Sequence, residues 1–139
     1  MLAQGFLEEK NLNYFVMPKY DIDLEKLFYS YKKWFKLETI ITLGFQILER
    51  LEAMHNCGLL HGDLKPQNIM ACYNSNEIIL IDFGLSYNIL KPNSRQYSFK
   101  GTPYYASSNQ LVKGKIGYKD DIESMMYIMI YFILGKLPW

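Results

Sequence analysis

Two apolar runs, residues 2–7 and 12–17, flank the polar stretch Glu8-Glu9-Lys10-Asn11 and predict an antiparallel hairpin. Its second run holds Tyr14-Phe15-Val16-Met17, aromatic and branched side chains that strands favour, and Pro18 ends it. Asp23 stands before Leu24-Glu25-Lys26-Leu27-Phe28 as the N-cap of a short helix. From about residue 38 to 56, Ile40, Leu43, Ile47, Leu51 and Met54 recur at three- and four-residue steps, one apolar stripe of a longer helix. Gly58 sits where a glycine closes such a helix. The runs Ile69-Met70-Ala71-Cys72 and Ile78-Ile79-Leu80-Ile81, joined by Asn74-Ser75-Asn76, predict a second hairpin. Residues 85–99 turn polar and irregular around Pro92, Asn93, Ser94 and Arg95. The final element, residues 120–134, has an acidic start suited to a helix N-terminus and is apolar nearly all round beyond Ser124, so a buried helix is expected.

Composition narrows the class. The 139 residues suit one domain, half of them hydrophobic and 16% aromatic, which excludes a disordered chain. No internal repeat and no low-complexity linker divides it. Fifteen Lys+Arg against fourteen Asp+Glu leave nothing that asks for nucleic acid or an anionic membrane. The longest uncharged run, residues 124–135, falls well short of the roughly 20 apolar residues that span a bilayer. The start lacks the basic region of a signal peptide. Cys57 and Cys72 form neither a disulfide framework nor a C-x-x-C metal pair, so an intracellular location, cytoplasmic or nuclear, is expected. His55 reads as structural, since no His or Cys lies at metal spacing from it.

The chemistry concentrates in His61-Gly62-Asp63-Leu64-Lys65-Pro66-Gln67-Asn68 and in Asp82-Phe83-Gly84. Asp63 and Lys65 are two apart, so an extended segment points both to one side. The second hairpin is expected to carry Asp82 back beside Asn68. An Asp and an Asn together suit Mg²⁺, which binds through one or two carboxylates plus substrate phosphates. Asp63 is then free to accept a proton from a hydroxyl, and Lys65 to steady a phosphate. The constellation points to phosphoryl transfer.

At these residues the chain resembles the protein kinases, with their H-R-D-x-K-x-x-N loop and D-F-G motif. The resemblance implies that Asp63 is the catalytic base and that Asn68 and Asp82 hold Mg²⁺. Lys65 resembles the serine/threonine-specific form of the loop, and His61 becomes a packing residue behind Phe83. Met17 becomes the gatekeeper. Pro18 lends its carbonyl to adenine, Tyr20 its N–H and C=O, and Met70 the floor under the ring, so ATP is the expected cofactor. Lys100-Gly101-Thr102-Pro103-Tyr104-Tyr105-Ala106-Ser107-Ser108 narrows the likeness to the casein kinase 1 superfamily, in which Thr102 matches the residue whose hydroxyl bridges Asp63 and Lys65. The D-D-x-E-S start of the last helix and Gly135-Lys136-Leu137-Pro138-Trp139 resemble that superfamily too, with Asp121 receiving N–H groups of the catalytic loop.

Two departures matter. Gly62 stands in place of the arginine of H-R-D, as in the sister vaccinia-related kinases, so control by a phosphate on the activation segment, Ser94 or Ser98 included, is not expected. No glycine-rich lid or V-A-I-K-like run precedes residue 44. The implied architecture is therefore α+β, a partial protein kinase-like fold: residues 1–17 as small-lobe strands, 18–22 as hinge, 23–139 as the first part of the mainly helical large lobe. The expected activity is transfer of the ATP γ-phosphoryl group to a protein substrate, with this stretch alone inactive. A non-catalytic pseudokinase and a small-molecule phosphotransferase remain the alternatives. Oligomeric state is left open.

Overall fold

The computed structural model describes residues 2–91, 101–112 and 114–139. It is a mixed α+β structure of small antiparallel sheets and helices. Strands β1 (Ala3–Leu7) and β2 (Leu12–Val16) pair in the register Ala3↔Val16 to Leu7↔Leu12. Asn11 closes their turn at φ 50°, a left-handed conformation that asparagine tolerates better than most residues.

Past an irregular segment, residues 17–21, comes β3 (Ile22–Asp23), which leads directly into helix α1 (Leu24–Ser30). Asp23 caps that helix, its carboxylate accepting the Lys26 N–H at 2.9 Å. Helix α2 (Leu37–Asn56) buries the stripe Ile40, Leu43, Ile47 and Leu51. Gly58, at φ 72°, donates to the His55 carbonyl at 2.8 Å and turns the chain into β4 (Leu59–Leu60). The second hairpin is β5 (Ile69–Ala71) with β6 (Ile78–Leu80), and β3 joins β5 on its other side. Strand β7 (Tyr87–Asn88) pairs with β4. A four-residue helix α3 (Ser108–Leu111) precedes α4 (Tyr118–Leu134).

The core lies where α1, α2 and α4 meet the β3-β5-β6 sheet. Phe28, fully buried, touches three rings: Phe35 and Phe132 at 4.9 Å and Tyr131 at 5.3 Å. Gly44 lets α2 approach α4 closely, because a Cβ there would meet the Met129 methyl. Helix α4 departs from the all-round burial expected of it. Ser124, Met125, Ile128, Tyr131 and Phe132 are buried, while Met126, Ile133 and Leu134 are exposed. The described residues pack only one side of it. None of their helices is long and apolar enough to cross a membrane.

Candidate active site

The loop after β4 is gripped from beneath by the first turn of α4. Asp121, 3% exposed, accepts the His61 N–H at 2.8 Å on one oxygen and the Gly62 N–H at 3.0 Å on the other. The first oxygen also pairs with His55 Nε2 at 2.8 Å, and Tyr118 stacks on that imidazole at 4.6 Å. The carboxylate at the head of α4 thus serves the loop as well as its own helix, as the sequence suggested, and His55 has a structural partner.

Above this anchor the chain runs extended to Lys65 and then enters a 3-10 turn, Pro66–Asn68. Extension puts Asp63 and Lys65 on one side, and Lys65 Nζ donates to Asp63 Oδ2 at 2.7 Å. The same ammonium donates to Thr102 Oγ1 at 2.8 Å. Thr102 N–H in turn donates to Asp63 Oδ1 at 2.8 Å. Thr102 thus meets Asp63 through both its main-chain N–H and its side chain, and its hydroxyl also accepts from Lys65. Asn68, buried, donates its amide to the Asp63 carbonyl at 2.9 Å and, at 3.4 Å, to Asp63 Oδ2.

Burial pushes the Asp63 carboxyl up, but the Lys65 ammonium and Thr102 outweigh it and hold the group below the ordinary carboxylate value. Asp63 is therefore ionised near neutral pH, the form able to accept a proton. Tyr105 follows in the turn Pro103–Tyr105, buried against Tyr131 and Tyr104, and its N–H donates to the Thr102 carbonyl at 3.2 Å.

His61 is fully buried, and burial lowers its pKa, so the ring is neutral. Its Nδ1 accepts the Asp63 N–H at 3.4 Å, so Nε2 carries the proton and donates to the Ile81 carbonyl at 3.2 Å. Phe83 lies 5.6 Å from the ring between centroids. His61 is a packing residue, not a base.

The hairpin returns the chain as expected: Ile81 N–H donates to the Asn68 carbonyl at 2.9 Å. Asp82 follows at φ 62°, a strained conformation of the sort that gathers at functional sites. Its side chain is exposed and, among the described residues, accepts its own turn's Gly84 N–H, at 3.4 Å. Asn68 spends its NH₂ on Asp63, which leaves Oδ1 as the amide's remaining acceptor. Asn68 and Asp82 offer an oxygen donor set, small enough to suit a cation that arrives with phosphates and water. Among the described residues no cluster of three or more His, Cys, Asp or Glu could hold a metal by itself.

Met17 and Pro18 are exposed in the segment after β2, and Tyr20 is half-buried. Among the described residues, no hydrogen bond or ring contact ties these three to the 61–68 loop. Met70, on β5 opposite Ile79 and Asp23, is half-buried, because a central strand of a sheet this narrow has a partly open face. Pro92, Ser94, Arg95, Ser98 and Lys100 lie outside the described residues.

Two residues escaped the sequence reading. Ser107, fully buried, donates its hydroxyl to Asp120 Oδ1 at 2.6 Å. Gln110 donates to the Gly62 carbonyl at 2.9 Å. The signal was present: Ser107-x-x-Gln110 is a capping box, and both of its bonds form at α3. Against this geometry stands one comparison: the family model for the protein kinase domain matches residues 2–139.

Proposed function

The chain belongs to the protein kinase domain family, and we propose that it is of the serine/threonine kind, transferring the ATP γ-phosphoryl group to a protein hydroxyl. In this reading Asp63 accepts the hydroxyl proton as the oxygen attacks. Lys65 steadies the phosphoryl oxygens and Asp63 together. Thr102 orients both. Asn68 and Asp82 hold Mg²⁺, and Met17, Pro18, Tyr20 and Met70 border the adenine. Magnesium, when bound, supplies neutralisation of charge on the transferring group. Residues 1–17 serve as small-lobe strands, 18–22 as hinge and 23–139 as large lobe. The Gly101–Ser108 stretch favours the casein kinase 1 branch, working inside the cell.

The observation that carries the reading is the closed set Asp63–Lys65–Thr102, with every link at 2.7–2.8 Å. An ionised carboxylate pinned by an ammonium and a main-chain N–H is a preorganised proton acceptor. The test is turnover and nucleotide affinity in the full-length protein with Mg-ATP and serine, threonine or tyrosine peptides. Asp63→Asn should leave nucleotide affinity nearly intact and lower turnover by roughly 10²–10⁴. Asp82→Asn should remove Mg²⁺-dependent nucleotide binding. Unchanged turnover in Asp63→Asn overturns the reading.

A further inference from the structure

Gly62 is held on both sides. Its N–H goes to Asp121, and its carbonyl accepts from Gln110 Nε2 at 2.9 Å. That carbonyl belongs to the same peptide unit as the Asp63 N–H. The opposite end of the unit is held weakly, since Asp63 N–H reaches His61 Nδ1 at 3.4 Å, near the limit of a hydrogen bond. Gly62 sits at φ 79° and has no Cβ, so nothing in its own side chain resists rotation of this peptide. The shorter hold comes from Gln110.

Gln110 is itself fixed. Its Oε1 accepts the Ser107 N–H at 2.9 Å, and its own N–H donates to Ser107 Oγ at 3.1 Å. Ser107 Oγ passes its proton's bond to Asp120, the neighbour of the Asp121 that holds the other side of Gly62. The path leaves α4 at Asp120, crosses α3, reaches the Gly62 carbonyl and returns to α4 at Asp121. Only a neutral amide can complete it, because the position needs an acceptor toward Ser107 and a donor toward Gly62.

We propose that Gln110 is a positioning residue for Asp63: its amide locks the Gly62–Asp63 peptide, doing by side-chain hydrogen bond what a side chain at position 62 cannot do here. The proposal deepens the kinase reading, since the value of placing Asp63 rests on its role as base. A small misplacement of a reacting group costs on the order of 10²-fold in rate, so this lock lies directly on the path to turnover.

The test uses the ¹⁵N-labelled full-length chain and two substitutions. Gln110→Glu keeps an acceptor for Ser107 and loses the donor for Gly62; Gln110→Asn keeps the amide but is too short to reach. Both should shift or broaden the Asp63 and Gly62 amide signals and speed exchange of the Asp63 amide about tenfold or more, while signals of the α1 and α2 core stay in place. Turnover should fall by about 10- to 100-fold with the KM for nucleotide within about twofold. Unmoved Asp63 and Gly62 signals in both variants would show that Gln110 only caps α3, and the proposal falls. If those signals move while Asp63→Asn leaves turnover unchanged, the lock stands and the kinase reading fails.

Discussion

Thr102 and Asp63, 39 residues apart in sequence, are joined by a 2.8 Å hydrogen bond from the main-chain N–H of one to the carboxylate of the other. A side-chain substitution at Thr102 cannot remove that bond. Thr102→Ser should behave nearly as the parent. Thr102→Ala, which loses the hydroxyl that Lys65 and Asp63 share but keeps the main-chain bond, should lower turnover by roughly tenfold, about the worth of one hydrogen bond to a charged group. Steady-state kinetics on the two variants checks this, and an alanine effect as large as that of Asp63→Asn contradicts it.

Asp121 satisfies three donors from two other segments: His61 N–H, Gly62 N–H and His55 Nε2. Asp121→Ala strands all three in a buried place, and each stranded group costs about 1–3 kcal/mol. The expected loss is about 3 kcal/mol or more, read as a lower midpoint in urea. His55→Phe should cost less, because it removes a single partner and keeps a ring against Tyr118.

Phe28 makes the plainest stability prediction. Truncating a fully buried ring with three aromatic neighbours should cost about 3–5 kcal/mol. Phe28→Leu should recover about half of that, as seen in the denaturation midpoint.

Stability should fall with acid in two stages. His61 has its pKa lowered by burial, so the unfolded chain binds its proton first. Its contribution is whole above the ordinary value of 6.5 and is lost as pH falls below it toward the folded value. Asp23, Asp63 and Asp120 are all held below 3.8, despite burial, by hydrogen bonds and ammonium partners. Their contribution persists above 3.8 and is lost as pH drops through their folded values. Urea midpoints measured from pH 7 to 3 should show the first stage vanish in His61→Gln and the second remain.

Gly62 sets the fourth test of the site. A Cβ there would stand 2.7 Å from the Leu85 carbonyl oxygen, main chain that cannot swing aside, and φ is 79°. Gly62→Ala should cost about 1–3 kcal/mol, and Gly62→Arg at least as much. An arginine placed here should therefore weaken the fold, read as a lower melting temperature by calorimetry.

Much of this was legible beforehand. The stripe of α2, both hairpins and the Asp23 cap follow from periodicity and short-range chemistry, and the structure forms each of them. The Asp63–Lys65 pairing follows from two-residue alternation in an extended segment. What stayed hidden was of another physical kind. A main-chain N–H has no letter, so the 2.8 Å main-chain bond from Thr102 to Asp63 could not be read beside the role of the hydroxyl. The two-residue strand β3 is too short for any pattern, and its pairing with β5 is a long-range event. Gln110 carried a readable cap, yet its second bond, to Gly62, joins positions 48 apart that no local rule relates. The outward side of α4 was missed because hydrophobicity reports what a face prefers, not what stands opposite it.

The adjacent aspartates of α4 also impose a phase. Asp120 holds Ser107 and the Gly117 N–H, and Asp121 holds the 61–62 loop. Successive helical residues differ in direction by about 100°, so two neighbours can serve two segments only at one rotation of the helix about its axis. A single residue inserted between Asp121 and Ser124 would turn both carboxylates by about 100° relative to the buried face of Ser124, Ile128 and Phe132, although it removes no side chain. The same insertion at residues 114–116, ahead of the helix, would only lengthen a connection. The helix works as a key cut for one angle, and its tolerance to change in length ends where the aspartates begin.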